Sequence, residues 1–154
     1  PKAIDQFKRL SEVAPNDPRS HLLLGATYSA NRQFDKAVGE FKASYNLQHT
    51  PDALMGLGQA DLQTRNYHEC AQVYDALDKG APDLSKQNPS ILYGLGQCYQ
   101  GAKQPDKAKV AYQKLLGYVK PGSQAANQIK ALIDAINRQQ QKPAPKKPST
   151  TSQK

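Results

Sequence analysis

The chain has 154 residues, 38% of them apolar, with a mean hydropathy of −0.76 and a formal charge of +8. That length supports one domain with a sizeable core, and no run of eighteen apolar residues occurs, which excludes a membrane-spanning helix. The thirteen residues Lys142–Lys154 carry four Lys and no acid, so half the positive excess sits there; the remainder lacks the dense basic face of a nucleic-acid binder.

The apolar periodicity is helical throughout, and the predicted elements run as follows. Residues 1–17 read as the second helix of a hairpin whose first helix is missing, the helix itself running near 2–14. Ile4, Phe7 and Leu10 then lack half their partners, so either the parent chain has a further helix upstream or this end pairs with another chain. A full hairpin follows over 18–50, with helices near 18–31 and 34–47. The next spans 51–88, with helices near 51–64 and 67–79 and a long joint at 80–88. The third covers 89–122, with helices near 89–102 and 105–118. Pro18, Pro51, Pro89 and Pro105 fall in first turns, where a missing N–H is harmless. Residues 123–141 form one amphipathic helix. Ser123 is its N-cap, and Ile129, Leu132, Ile133 and Ile136 make its apolar stripe. It suits a terminal cover with a solvated outer face. Residues 142–154, rich in Lys, Pro, Ser and Thr, have almost nothing to bury and are expected to be disordered.

The hairpins share internal offsets. Gly25, Gly58 and Gly96 are each followed twelve residues later by a small residue: Ala37, Cys70 and Ala108. Four residues further stand Phe41, Tyr74 and Tyr112. The same ending appears once more at the start, as Ala3, Phe7 and Pro15, and the spacings between the four copies are 34, 33 and 38, so a fixed unit is repeated with variable joints. Gly within a helix costs roughly 1 kcal/mol, so a repeated mid-helix Gly needs a packing reason. The expectation is small against small, each Gly facing the small residue of its hairpin, with the aromatics filling the seams between hairpins.

These residues resemble the tetratricopeptide repeat, whose pattern is W-x2-L-G-x2-Y, then A-x3-F, then P. The third unit carries Leu92, Leu95, Gly96, Tyr99, Ala108 and Tyr112, with Pro121 one place late. The first has His21, Leu24, Gly25, Tyr28, Ala37 and Phe41, with His49 in place of the Pro. The second has Leu54, Leu57, Gly58, Tyr74 and Pro82, with Asp61 and Cys70 where Tyr and Ala are usual. Asp61 is expected to be a partly exposed polar substitution.

The resemblance implies an all-α fold, a right-handed superhelical solenoid of antiparallel hairpins. Its concave groove is lined by the first helix of each hairpin. The groove residues are then Leu22, Leu23 and Ala26 in the first hairpin. Met55, Gly56, Gln59 and Gln63 follow in the second, and Tyr93, Gly94, Gln97 and Gln100 in the third. Gly56 and Gly94 are expected to leave room for a ligand. One subgroup of the family clamps acidic chaperone tails with Lys, Asn and Arg. The matching places here are Leu22, Ala26, Gly56, Ser90 and Gly94, so no carboxylate clamp is expected.

Catalytic chemistry finds no footing. The Gly-Leu-Gly runs lie inside helices and cannot cradle phosphate as a loop does. His68, Glu69 and Cys70 are the one local cluster of ligand-type residues, short of the four that zinc usually takes. Cys70 and Cys98 are read as two buried thiols, with a metal site or a disulfide between adjacent hairpins as alternatives. The expectation is a non-enzymatic scaffold without metal or cofactor, binding a protein or peptide partner in an uncharged groove. The alternatives are a domain that self-associates through its N-terminal end, or the non-catalytic part of a larger enzyme or secretion protein. The composition assigns no compartment.

Overall fold

The computed structural model describes residues 2–141, and these contain nine helices and no strand. They are α1 (Lys2–Val13), α2 (Pro18–Ala30), α3 (Phe34–Leu47), α4 (Pro51–Gln63), α5 (Tyr67–Gly80), α6 (Pro82–Gln87), α7 (Pro89–Gly101), α8 (Pro105–Leu116) and α9 (Gln124–Gln140). Eight lie within two residues of the sequence expectation. The ninth, α6, folds the 80–88 joint into a short helix begun by Pro82. The tail expected to be disordered, 142–154, lies outside the described residues.

The local signals explain the boundaries. Pro occupies the first turn of α2, α4, α6, α7 and α8. The side chains of Asp17, Thr50 and Ser123 accept from the backbone N–H of Arg19, Ala53 and Ala126. Each hairpin turns through one residue of positive φ: Arg32 (59°), Arg65 (63°) and Lys103 (56°). At each turn the next residue's N–H reaches back to Tyr28, Asp61 or Tyr99, which ties off the end of the first helix.

The helices stack in chain order, α2 on α3, α3 on α4, α4 on α5, α5 on α7, α7 on α8 and α8 on α9. Leu24, Tyr28, Ala37, Phe41, Leu57 and Ala60 form one core, against which Ile4 and Phe7 of α1 pack. A larger core runs from Cys70 to Ile136. The apolar stripe of α9 closes it, with Ile129 and Ile136 buried and Leu132 and Ile133 packed alongside.

Cys70 Sγ lies 3.3 Å from the Gly58 carbonyl oxygen, the small-on-small contact expected in the second hairpin, and the glycines also face aromatic rings. A Cβ on Gly25 would lie 2.9 Å from the Phe41 ring, and one on Gly56 would lie 2.5 Å from the same ring. Phe41 is therefore bracketed between glycines of two successive hairpins. Tyr74 is held in the same way, between Gly58 (2.9 Å) and Gly94 (2.8 Å). The missing Cβ atoms make room for a ring that crosses the seam. Ala37, Cys70 and Ala108 are fully buried.

Two further expectations are corrected. Cys70 and Cys98 are joined in a disulfide, with Cα atoms 5.7 Å apart, and are not two thiols. The constant offsets fix positions within a hairpin but not which residues face each other across the α5–α7 seam, and that seam brings the two together. Asp61 is fully buried, not partly exposed. Its Oδ1 accepts from Asn66 Nδ2 at 3.3 Å, and its Oδ2 has no partner. Burial raises its pKa.

Candidate functional site

A cleft of about 520 Å³ opens between the first helices of the second and third hairpins. Met55, Gln59, Leu62 and Gln63 of α4 form one wall, and Ile91, Tyr93, Gly94 and Gln97 of α7 the other. Tyr74 of α5 reaches it from the seam, and Asn88 and Ser90 stand where α7 begins. No residue lining this cleft carries a formal charge. Its polar capacity comes from carboxamides: Gln59 and Gln63 are exposed and Gln97 is half-buried. Each offers both a donor and an acceptor. Burial pushes the Tyr74 phenol up to about 12, so the ring reaches the cleft as a neutral group at ordinary pH.

Tyr93 is 40% exposed and stands at the junction with a second hollow. That hollow, about 230 Å³, is lined by Pro89, Ser90, Tyr93, Leu115, Val119, Ala125, Gln128 and Ile129. It is an almost wholly apolar socket. Tyr93 and Ser90 belong to both hollows, so a polar groove and an apolar socket meet at one aromatic ring. The Tyr93 ring lies 6.0 Å from that of Tyr112, whose hydroxyl donates to Gln100 Oε1 at 2.7 Å.

Six of the residues named from the sequence thus come together: Met55, Gln59, Gln63, Tyr93, Gly94 and Gln97. The other five do not line the cleft. Leu22 packs against the N-terminal core, while Leu23 and Ala26 stand exposed on α2. Gly56 is pressed against Phe41 and leaves a ligand no room there. Gln100 is engaged by Tyr112 within its own hairpin. Gly94 does line the cleft, but the space its missing Cβ leaves is occupied by Tyr74. The apolar socket was missed. Its Leu115 and Ile129 read as ordinary core residues, and only the approach of α9 to the start of α7 turns them into a wall.

At the N-terminal end His21 takes the place of the repeat's usual Trp. Its Nδ1 lies 2.8 Å from Glu40 Oε2 and its Nε2 lies 3.1 Å from the Pro15 carbonyl oxygen. Burial opposes its charge, but these two acceptors outweigh burial and raise its pKa. It ties the α1–α2 turn to α3. Among the described residues no three His, Cys, Asp or Glu side chains converge as a metal site.

Residues 91–118 match the model of the tetratricopeptide repeat. The chain carries a tetratricopeptide repeat and has the tetratricopeptide fold. Its right-handed solenoid is similar to that of MamA from Desulfovibrio magneticus RS-1, at 20% identity and a TM-score of 0.71, covering 92% of this chain and 87% of that one. A second MamA structure is similar at 25% identity and a TM-score of 0.70, covering 88% and 76%. The type III secretion chaperone SycD of Yersinia enterocolitica, solved in complex with a peptide of the translocator YopD, is similar at 13% identity and a TM-score of 0.67, covering 79% and 93%. No curated protein sequence matches this chain.

Proposed function

We propose that this protein is a binding scaffold that holds an uncharged segment of a partner protein in the α4–α7 cleft. The observation that carries the reading is the junction at Tyr93, where a charge-free groove with carboxamide rungs meets an apolar socket. Such a pair suits a segment that hydrogen-bonds along the groove and lodges one apolar side chain in the socket. Tyr93 is the anchor, because half-exposed aromatic rings beside apolar pockets concentrate binding energy. Gln59, Gln63 and Gln97 satisfy polar groups of the bound segment. Without charged rungs, the cleft favours partners by shape and apolar contact and gives an acidic tail no ion pair. A peptide complex of SycD, a protein of the same fold, supports this mode of use.

Selection of a random peptide library on the immobilised protein, followed by calorimetric titration of the winners, tests the reading. Tyr93→Ala and Gln97→Ala should each weaken binding. Unchanged affinity in both variants removes the cleft from consideration.

One observation favours a second reading, self-association at the N-terminal end. On α1, Val13 is 83% exposed and Leu10 42% exposed. Light scattering over a concentration series decides between the two, since a monomer at every concentration argues against assembly.

A further inference from the structure

Three helices build the α4–α7 cleft, and one pair of sulfurs touches all three. Cys70 stands on α5 and Cys98 on α7, and they are bonded to each other. Cys70 Sγ also meets the Gly58 carbonyl oxygen of α4 at 3.3 Å. Cleft residues lie immediately alongside. Gln97 precedes Cys98, and Gln59 follows Gly58. Gly94 stands one helical turn before Cys98, and Tyr74 one turn after Cys70, on the same helix faces. Tyr74 is the ring held between Gly58 and Gly94. The bond therefore joins the helix faces that Tyr74 and Gly94 share one turn away.

The chain itself ties these helices loosely. α3 passes into α4 through the short link 48–50, whereas 81–88 separates α5 from α7. A longer joint constrains its ends less, so the bond crosses the seam that connectivity fixes least. Breaking it also changes the space the seam must hold. Unbonded sulfurs cannot stay a bond's length apart: they part to van der Waals contact, and each gains a hydrogen. Both cysteines are fully buried, and close-packed interiors have few voids to absorb such a change. The displacement passes to the helices, and α7 takes Tyr93, Gly94 and Gln97 with it.

We infer that the Cys70–Cys98 pair is a redox switch for the α4–α7 cleft, and this rests on the binding role proposed for that cleft. Bonded, the pair holds the two walls at the spacing that receives a partner segment. As two thiols it spreads them, and the preorganisation that favours binding is lost. Switching is a two-electron thiol–disulfide exchange. A dithiol gives up two electrons and two protons, the sulfur–sulfur bond breaks, two cysteine thiols form, and the dithiol leaves as a disulfide. The attacking thiolate reaches the buried sulfurs only when the α5–α7 seam opens, so reduction is slow.

The test compares the full chain in its oxidised form with the form reduced by dithiothreitol, the thiol state being read by alkylation and mass. Reduction should shift the amide NMR signals of Met55, Gln59, Gly94 and Gln97 and leave Val38 and Gly39 in place. A peptide selected on the oxidised protein should bind the reduced protein about tenfold more weakly, and reoxidation should restore both readouts. The Cys70→Ala, Cys98→Ala variant should not respond to dithiothreitol at all. Cleft amides that reduction leaves unmoved, or shifts spread evenly into α2 and α3, overturn the inference, because the bond is then inert or a general staple. Equal affinity of the two forms overturns it as well. A peptide that binds neither form defeats the binding role instead, and the amide shifts then decide whether the bond sets the cleft.

Discussion

The bracketing of Phe41 makes a sharp prediction for Gly56→Ala. In a free helix the change is favourable by roughly 1 kcal/mol, because Ala loses less backbone entropy than Gly. Here the new Cβ would lie 2.5 Å from Phe41 Cε1 and 2.6 Å from Cζ, well inside ordinary contact. The ring has no direction in which to yield. Gly25 holds its other side at 2.9 Å from a notional Cβ, and Phe41 is only 4% exposed. Overpacking of this kind costs about 1–3 kcal/mol, which cancels or exceeds the helical gain. Gly39→Ala is the control, since nothing lies within 4 Å of a Cβ there and the position is inside α3. It should gain close to the full helical benefit, so the two variants should differ by about 1–3 kcal/mol, the overpacking term alone. Urea denaturation followed by far-ultraviolet circular dichroism gives both values. Phe41→Leu in the Gly56→Ala background should recover part of the loss. If Gly56→Ala is stabilised as much as Gly39→Ala, the ring is not wedged and the seam account fails.

Asp61→Leu should stabilise the protein at neutral pH by about 1–3 kcal/mol, because it removes a buried carboxylate oxygen with no partner. Since burial raises the folded pKa of Asp61, its contribution to stability is intact below the unfolded value of 3.8 and is lost as pH rises through the folded value. The advantage of Asp61→Leu should therefore shrink on acidification, as denaturation curves at several pH values will report. His21 has the same direction of dependence, in a higher pH window. Its pKa is raised, so the His21–Glu40 contribution is complete below pH 6.5 and fades as pH rises through the folded value. Glu40→Gln should cost stability at the lower pH and little at the higher one, measured by the same titration. The disulfide closes a span of 28 residues, and loop-closure entropy assigns it about 3–4 kcal/mol. Thermal melts of the Cys70→Ala, Cys98→Ala double variant should show a loss of that order.

Much of the fold was legible because each local signal agreed with the next. The prolines at helix starts, the Gly-to-small offset of twelve and the aromatic four residues on all marked the same hairpins. What the sequence concealed depends on distances between hairpins. The Cys70–Cys98 bond crosses the α5–α7 seam, and no offset within a repeat reports it. Asp61 looked like a surface substitution because a charged side chain stands where Tyr is usual, yet its position inside α4 buries it completely. The roles of Gly56 and Gly94 were misread for a related reason. A missing Cβ signals close approach, and only the structure says that the approaching group is the ring of the preceding hairpin. The cleft itself was half legible: helical register put Met55, Gln59 and Gln63 on one face and Tyr93, Gly94 and Gln97 on another, while the socket beyond Tyr93 needed the placement of α9.

The central claim is that partner segments bind across the junction at Tyr93. Mapping the amide chemical-shift changes caused by a library-selected peptide tests it most directly. The largest changes should fall on Met55, Gln59, Gly94 and Gln97 with Tyr93 at their centre, and extend to Val119 and Ile129 in the socket. Changes confined to α1 and α2, with the cleft amides unmoved, would contradict the account.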